Sequence, residues 1–279
     1  MPTFPCPRFL LLSSLALTLT GAACAGQSGY APSTIATESA AGDRLLAPTA
    51  TAGAATTIGT PAPRPDERPG LATAWGESVW SPITMQPFVR AAAQPWAAAV
   101  IHYNDADGVR AHAAYLGAAV GPLETWVGDG ALAVAIVDDA GAILPGLAAG
   151  GRNLVAAVDG QRYQIVIRNA TSARFEVVTS VDGLDVIDGK PAGVDRRGYL
   201  VEPQGQLVID GFRRSDDQVA AFRFGKVASS YAAATSGDAN VGVIGVALFA
   251  ERGATWTRAE LGRRDQANPF PSRSYATSP

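Results

Sequence analysis

Residues 161–187, QRYQIVIRNATSARFEVVTSVDGLDVI, constrain this chain more than any other stretch. Tyr163, Ile165 and Ile167 alternate with Arg162, Gln164 and Arg168. After a break, Phe175, Val177, Thr179 and Val181 alternate with Arg174, Glu176, Ser180 and Asp182. A period of two is what a half-buried strand requires, because successive side chains leave opposite faces of a sheet. The segment therefore predicts two strands and the start of a third. It names a fold class and no activity.

Further strands are expected at Ile83 to Arg90, Ala97 to Tyr103, Ala131 to Val137 and Asn153 to Val158. More follow at Tyr199 to Glu202, Gln206 to Ile209, Val219 to Phe224 and Val241 to Phe249. Asp159-Gly160 is a tight-turn dipeptide and predicts a hairpin between Asn153–Val158 and the strand from Gln161. VGVIGVALF is apolar on both faces, which suits a central strand whose glycines allow close packing or a bulge. Alanine-rich Gly108 to Leu116 reads as a short helix. Many short strands separated by turn signals predict a mainly β fold, an antiparallel β-sandwich of the immunoglobulin-like or jelly-roll-like kind, with one or two short helices at most.

The beginning of the chain reads as an export signal. Arg8 precedes the apolar run Phe9 to Leu19, and the small residues Gly21, Ala22 and Ala23 follow. That run is too short for a permanent membrane span. Two processing routes remain open. Cleavage at Ala23-Cys24-Ala25 releases a soluble product starting near Gly26. Alternatively, Gly21-Ala22-Ala23-Cys24 resembles a bacterial lipobox with Cys24 as the lipidated residue, although the pattern prefers leucine where Gly21 stands. In the second case Ala25 implies outer-membrane sorting, by resemblance to Gram-negative lipoproteins. Either route predicts an exported product of the periplasm, outer membrane or medium, without a transmembrane helix in the mature chain.

The division expected is a signal at 1–25, a disordered linker rich in Ala, Thr and Pro at 26–70, a folded region at 71–261 and a disordered tail at 262–279. The linker lacks the apolar periodicity that could offset its ordering entropy. The strand pattern is clearest over 151–252 and weaker over 71–150. Net charge is −3 and the pI near 5.4, so no basic field favours nucleic acid. Cys6 and Cys24 are the only cysteines, and His102 and His112 the only histidines. A mature domain without thiols offers no disulfide and no cysteine-held metal.

Several groups invite a chemical reading. Asp105 and Asp107 in NDADG have the look of a calcium loop. The twelve-residue pattern then needs ligands at Tyr103 and Ala114, so a loop before a helix is the simpler reading. Asp182, Asp185 and Asp188 in VDGLDVIDG, with Asp195 beyond, could hold a cation or form an acid/base pair. Yet Asp182-Gly183 and Asp188-Gly189 are ordinary turn dipeptides. Arg196, Arg197, Arg213 and Arg214 could bind an anion, but alternate with acids as solvated surfaces do. Five tryptophans, Trp75, Trp80, Trp96, Trp126 and Trp256, could include a sugar-stacking platform, with packing the plainer role. His102 reads as a half-buried, satisfied histidine. No nucleophile elbow, zinc-protease helix or phosphate loop is present. No catalytic residue, metal or cofactor is therefore assigned.

VDGLDVIDGK, RRGYLVEP, IDGFRRSDDQVAAFRF, SYAA and NVGVIGVALFAER together resemble an uncharacterised family of exported bacterial envelope proteins. RPGLATAWGE and IHYNDADG fit the same pattern. The resemblance implies an envelope protein and brings no activity. The leading expectation is a non-enzymatic binding or structural module on a flexible tether, with an envelope protein or glycan as partner. The alternative is an envelope hydrolase or carbohydrate-active enzyme using the loop carboxylates. A third expectation is assembly through an exposed strand edge.

Overall fold

The computed structural model describes residues 33–36, 64, 70–237 and 239–256. The segment read as an export signal, Cys24, most of the expected 26–70 linker and the expected 262–279 tail lie outside them. The first strands are β1 (Ser33–Ala36), β2 (Leu71–Trp80), β3 (Ile83–Gln86) and β4 (Ala97–Asp105), followed by helix α1 (Ala106–Leu116). Next come β5 (Gly121–Pro122), β6 (Glu124–Val127), β7 (Leu132–Val137), β8 (Pro145–Ala149), β9 (Arg152–Ala157) and β10 (Arg162–Asn169). Then β11 (Phe175–Val181), β12 (Leu184–Asp185), β13 (Tyr199–Val201), β14 (Gln206–Ile209), β15 (Gly211–Arg213) and β16 (Gln218–Lys226) lead to helix α2 (Tyr231–Thr235) and β17 (Val243–Ala250).

The architecture is mainly β, with two antiparallel-rich sheets and two short helices. Sheet 1 has ten strands, in the order β3-β1-β13-β11-β17-β4-β9-β8-β5, with β12 folded back on β11. Sheet 2 has seven, in the order β15-β16-β10-β7-β6, with β14 on β10 and β2 on β16. Two pairs, β4–β9 and β1–β3, are parallel.

The alternating segment supplies one strand to each sheet. β10 turns Tyr163, Ile165 and Ile167 into the core from sheet 2, and β11 meets them with Phe175, Val177 and Val181 from sheet 1. Each large side chain removed from water here stabilises the fold by about 1.5–3 kcal/mol. VIGVALFA forms β17, central between β11 and β4 as its two apolar faces predict. A methyl at Gly245 would meet the Ser180 hydroxyl at 2.7 Å, so glycine admits the close neighbour.

Three expectations change. Asp159-Gly160 makes a turn, with Gln161 N–H donating to Val158 C=O, but β9 and β10 do not pair. The chain instead crosses from sheet 1 to sheet 2 there, because both strands bury apolar faces against different partners. The strand expected over Ile83 to Arg90 stops at Gln86, since Pro87 cannot donate to a ladder and Phe88 and Arg90 turn to cover β17. Finally, the expected 26–70 linker contains β1. Ser33–Ala36 runs antiparallel to β13 and parallel to β3.

A polar knot joins the sheets. Asp182 and Gly183, with φ of 54° and 80°, form the two-residue turn between β11 and β12, a setting that favours Asp-Gly. The left-handed backbone takes Asp182 off the outward face and turns its carboxylate inward. It accepts from Thr73 N–H of β2 at 2.7 Å, Tyr103 O–H of β4 at 2.6 Å and Gly242 N–H at 2.8 Å. The Thr73 hydroxyl lies within hydrogen-bond reach of both Tyr103 Oη and Tyr163 Oη, and the two rings pack on Phe224. Burial raises the Asp182 pKa and these donors hold it down. Burial and the Asp182 charge push both phenols well above 10.

Replacing Asp182 by Asn would set an amide N–H₂ against the backbone N–H of Thr73 or of Gly242, each of which can only donate. Each buried donor left unpaired costs roughly 1–3 kcal/mol, so denaturant unfolding should show Asp182→Asn destabilised by at least that much. An unchanged midpoint would show that the knot carries no stability.

Candidate functional site

The outer face of sheet 1 is covered at both ends and open between. Over β4, β8 and β9 lies α1, whose Val109 and Ala113 pack on Leu147 and Leu154. The helix begins there because the Asp105 carboxylate accepts from Gly108 N–H at 2.7 Å, and it ends because Gly117 takes the left-handed conformation. Over β11, β13 and β17 lies the segment carrying Phe88, which packs with Val178, Leu200 and Phe249.

A groove of about 220 Å³ remains between these covers. Its floor is Ala98 and Val100 of β4, Val178 and Ser180 of β11, and Gly245 and Ala247 of β17. Ala192, Gly193 and Val194 form a wall. Side chains this small in three neighbouring strands leave a depression, and Val100 stays 47% exposed in it. Ser180 is the sole hydroxyl in the lining.

The wall is fixed by a buried ion pair. Arg90 Nε donates to Glu176 Oε2 at 2.6 Å, and both side chains are fully buried. The other guanidinium nitrogens donate to Val194 C=O and Arg196 C=O, and Arg90 stacks 3.7 Å above the Phe249 ring. Glu176 Oε1 accepts from Gly198 N–H at 2.7 Å. Every strong group of the pair thus ties the 190s loop to the sheet. Ala192 N–H closes the same loop onto Gly183 C=O.

The carboxylates singled out by sequence sit elsewhere. Asp182 belongs to the knot. Asp185 is 2% exposed; its Oδ1 accepts from Ile187 and Asp188 N–H, and its Oδ2 has no hydrogen-bond partner. Burial raises its pKa. Asp188 pairs with Arg196 at the surface at 3.3 Å. Asp105 caps α1 and Asp107 pairs with Arg110, as a loop entering a helix would have them. Among the described residues no group of three or more His, Cys, Asp and Glu side chains is placed to hold a metal.

Arg213 is spent on structure, donating to Tyr199 Oη and to the Ser81, Ser215 and Asp216 carbonyls. His102 is half-buried, as expected; burial and Arg152 lower its pKa against a hydrogen bond with the Asn153 backbone, and Nδ1 has no hydrogen-bond partner. Trp75 stacks on Phe212, and Trp96 packs edge-on to Trp256. Trp80 and Trp126 are exposed. A second, polar recess contains Arg174, Glu202 and Glu251, but Arg174 is already held by Glu251, Gln86 and Pro87 C=O.

Sequence reasoning missed the Arg90–Glu176 pair. It placed Glu176 on the outward face, which is correct, and had no signal that a loop 14 or more residues onward would cover it. A glutamate within FEVVTSV was the one available hint.

Comparison with family models, with curated proteins and with solved structures finds no match to this chain. Among the described residues no helix is long and apolar enough to cross a membrane.

Arg90→Met strands a buried carboxylate and should lower stability by about 3–5 kcal/mol, whereas Arg90→Met with Glu176→Gln, which keeps an acceptor for Gly198, should lose distinctly less. Equal losses in chemical denaturation would contradict the charge argument. Asp185, with its folded pKa above the ordinary 3.8, contributes stability that is fully present below the unfolded pKa and lost as pH rises through the folded one. Asp185→Asn removes that loss, so its stability relative to the wild type should rise between pH 4 and 7; parallel pH profiles would refute this.

Proposed function

We propose that this chain is an exported cell-envelope module that binds or braces a partner and does not turn over a substrate. The observation that carries the reading is the contrast between the carboxylates and the open concavity. Asp182 and Asp185 are buried and bound to backbone amides, so neither faces a space a substrate could enter. Acid/base hydrolysis needs two carboxyl groups flanking the scissile bond. The groove, in contrast, has small apolar walls and one hydroxyl.

Its occupant in this proposal is one apolar side chain of an envelope protein. A glycan would leave its hydroxyls unpaired against Ala, Val and Gly. The size suits a single anchoring side chain, smaller than the roughly 300–1,000 Å³ of a typical small-molecule site. Buried anchors of this kind carry most of the energy of many interfaces.

The export pattern and the resemblance to envelope proteins support the location. On the lipobox reading, lipid on Cys24 would lie eight intervening residues before Ser33, so a docked β1 would hold the domain within roughly 30 Å of the bilayer. The tether is then the short span 25–32 and not the whole of 26–70.

Indole, as a stand-in for an apolar side chain, should shift amide resonances of β4, β11 and β17 saturably, and Ala98→Leu should abolish the shifts. Absence of a saturable response would count against the groove. Turnover in a broad hydrolase screen, lost on mutating Asp185 or His102, would overturn the whole reading.

A further inference from the structure

β1 is an unusual member of sheet 1. It lies between β3 and β13, so both its edges are paired: Thr34 stands opposite Leu200 in the antiparallel register and opposite Thr84 in the parallel one. Within the sheet β3 is joined to the rest only through β1. Ser33 N–H donates to Pro82 C=O, Ser33 Oγ–H to Val208 C=O, and the Thr34 side chain is buried. The strand is only four residues long, and residues 37–70, 34 in number, connect it to β2. Without it, β13 would become an open edge and β3 would lose its sheet partner.

We propose that the gap between β3 and β13 is a strand-acceptor site that takes the Ser33–Ala36 strand of a second copy of this chain in place of its own, linking copies by strand exchange. A strand of the same sequence makes the same ladder bonds and buries the same Thr34 whether it arrives from its own chain or from a neighbour. The difference between the two states therefore lies in the connection. A fully extended 34-residue span reaches roughly 110 Å, enough to cross to an adjacent copy. Its length also lowers the effective concentration of the chain's own strand, which falls as about the −3/2 power of linker length. Exchange thus grows with protein concentration, and anchoring copies on one surface would favour it. This inference concerns the strand and not the groove, so it stands whether or not the groove binds a partner.

The test uses the full chain with Cys6→Ser and Cys24→Ala, which leaves no other thiol. A copy carrying Thr34→Cys is mixed with a differently tagged copy carrying Leu200→Cys under mild oxidation. Strand exchange predicts a disulfide-linked heterodimer whose yield rises with concentration, in several-fold excess over a control pair of Thr34→Cys with the exposed Leu116→Cys. One chain carrying both Thr34→Cys and Leu200→Cys should close on itself when dilute. Closure within that chain without any heterodimer above the control overturns the exchange; failure to close overturns the register on which it stands. Since Leu200 is buried, light scattering on the chain without cysteine pairs gives an independent reading. Dimers that increase with concentration and vanish on deleting Ser33–Ala36 support the proposal, and a monomer at all concentrations refutes it.

Discussion

The carboxylate of Asp182 is the constraint on which the sandwich depends. One side chain, delivered by the turn between β11 and β12, accepts from β2 of sheet 2 and from β4 and the approach to β17 of sheet 1. Close packing of the two apolar faces already resists displacement, and a buried carboxylate adds a directional demand, because it must meet its donors or lose several kcal/mol. The knot therefore fixes how the sheets register. It also requires the left-handed backbone at Asp182, which aspartate tolerates better than most residues.

Fixing the inner faces leaves the outer face of sheet 1 to be finished by covers. α1 closes one end through the Asp105 cap, and the Phe88 segment closes the other through the Arg90–Glu176 pair. Polar groups do the positioning in each case while apolar groups fill the space. The groove is what remains where β4, β11 and β17 carry only small side chains. A protein that exposes Val100 beside Ala98 and Gly245, with a wall held by four charge-assisted contacts, maintains an apolar depression in a definite shape.

Much of this was legible from residue order, and the limits have physical causes. The period-two pattern identified β10 and β11 and their inward faces, because pleating is local. Two apolar faces likewise marked β17 as central. Sheet membership was not legible: Asp159-Gly160 makes a turn equally well inside a hairpin or between sheets, and only the long-range partners of β9 and β10 decide. β1 was invisible because four residues in an Ala/Thr/Pro-rich segment have no periodicity to detect; their strand state comes from the slot they enter. Among the candidate residues, NDADG reads as a loop before a helix and Asp182-Gly183 as a turn; in the structure Asp105 caps α1, and Asp182 and Gly183 make the two-residue turn. The inward reach of Asp182 was not foreseen, since alternation puts it outward and the positive φ reverses it. Arg90 and Glu176 are far apart in the chain, and nothing local joins them.

Whether Asp182 is a structural clamp in a closed interior is read by native-state amide hydrogen exchange at Thr73 and Gly242. Both amides donate to that carboxylate. If the clamp is part of the cooperative core, both exchange only through global unfolding, with the free energy and denaturant dependence of the whole domain. Exchange through a low-energy local opening, at either amide, would show that the Asp182 turn moves independently of the fold, and would return its carboxylate to the list of groups that can meet a substrate.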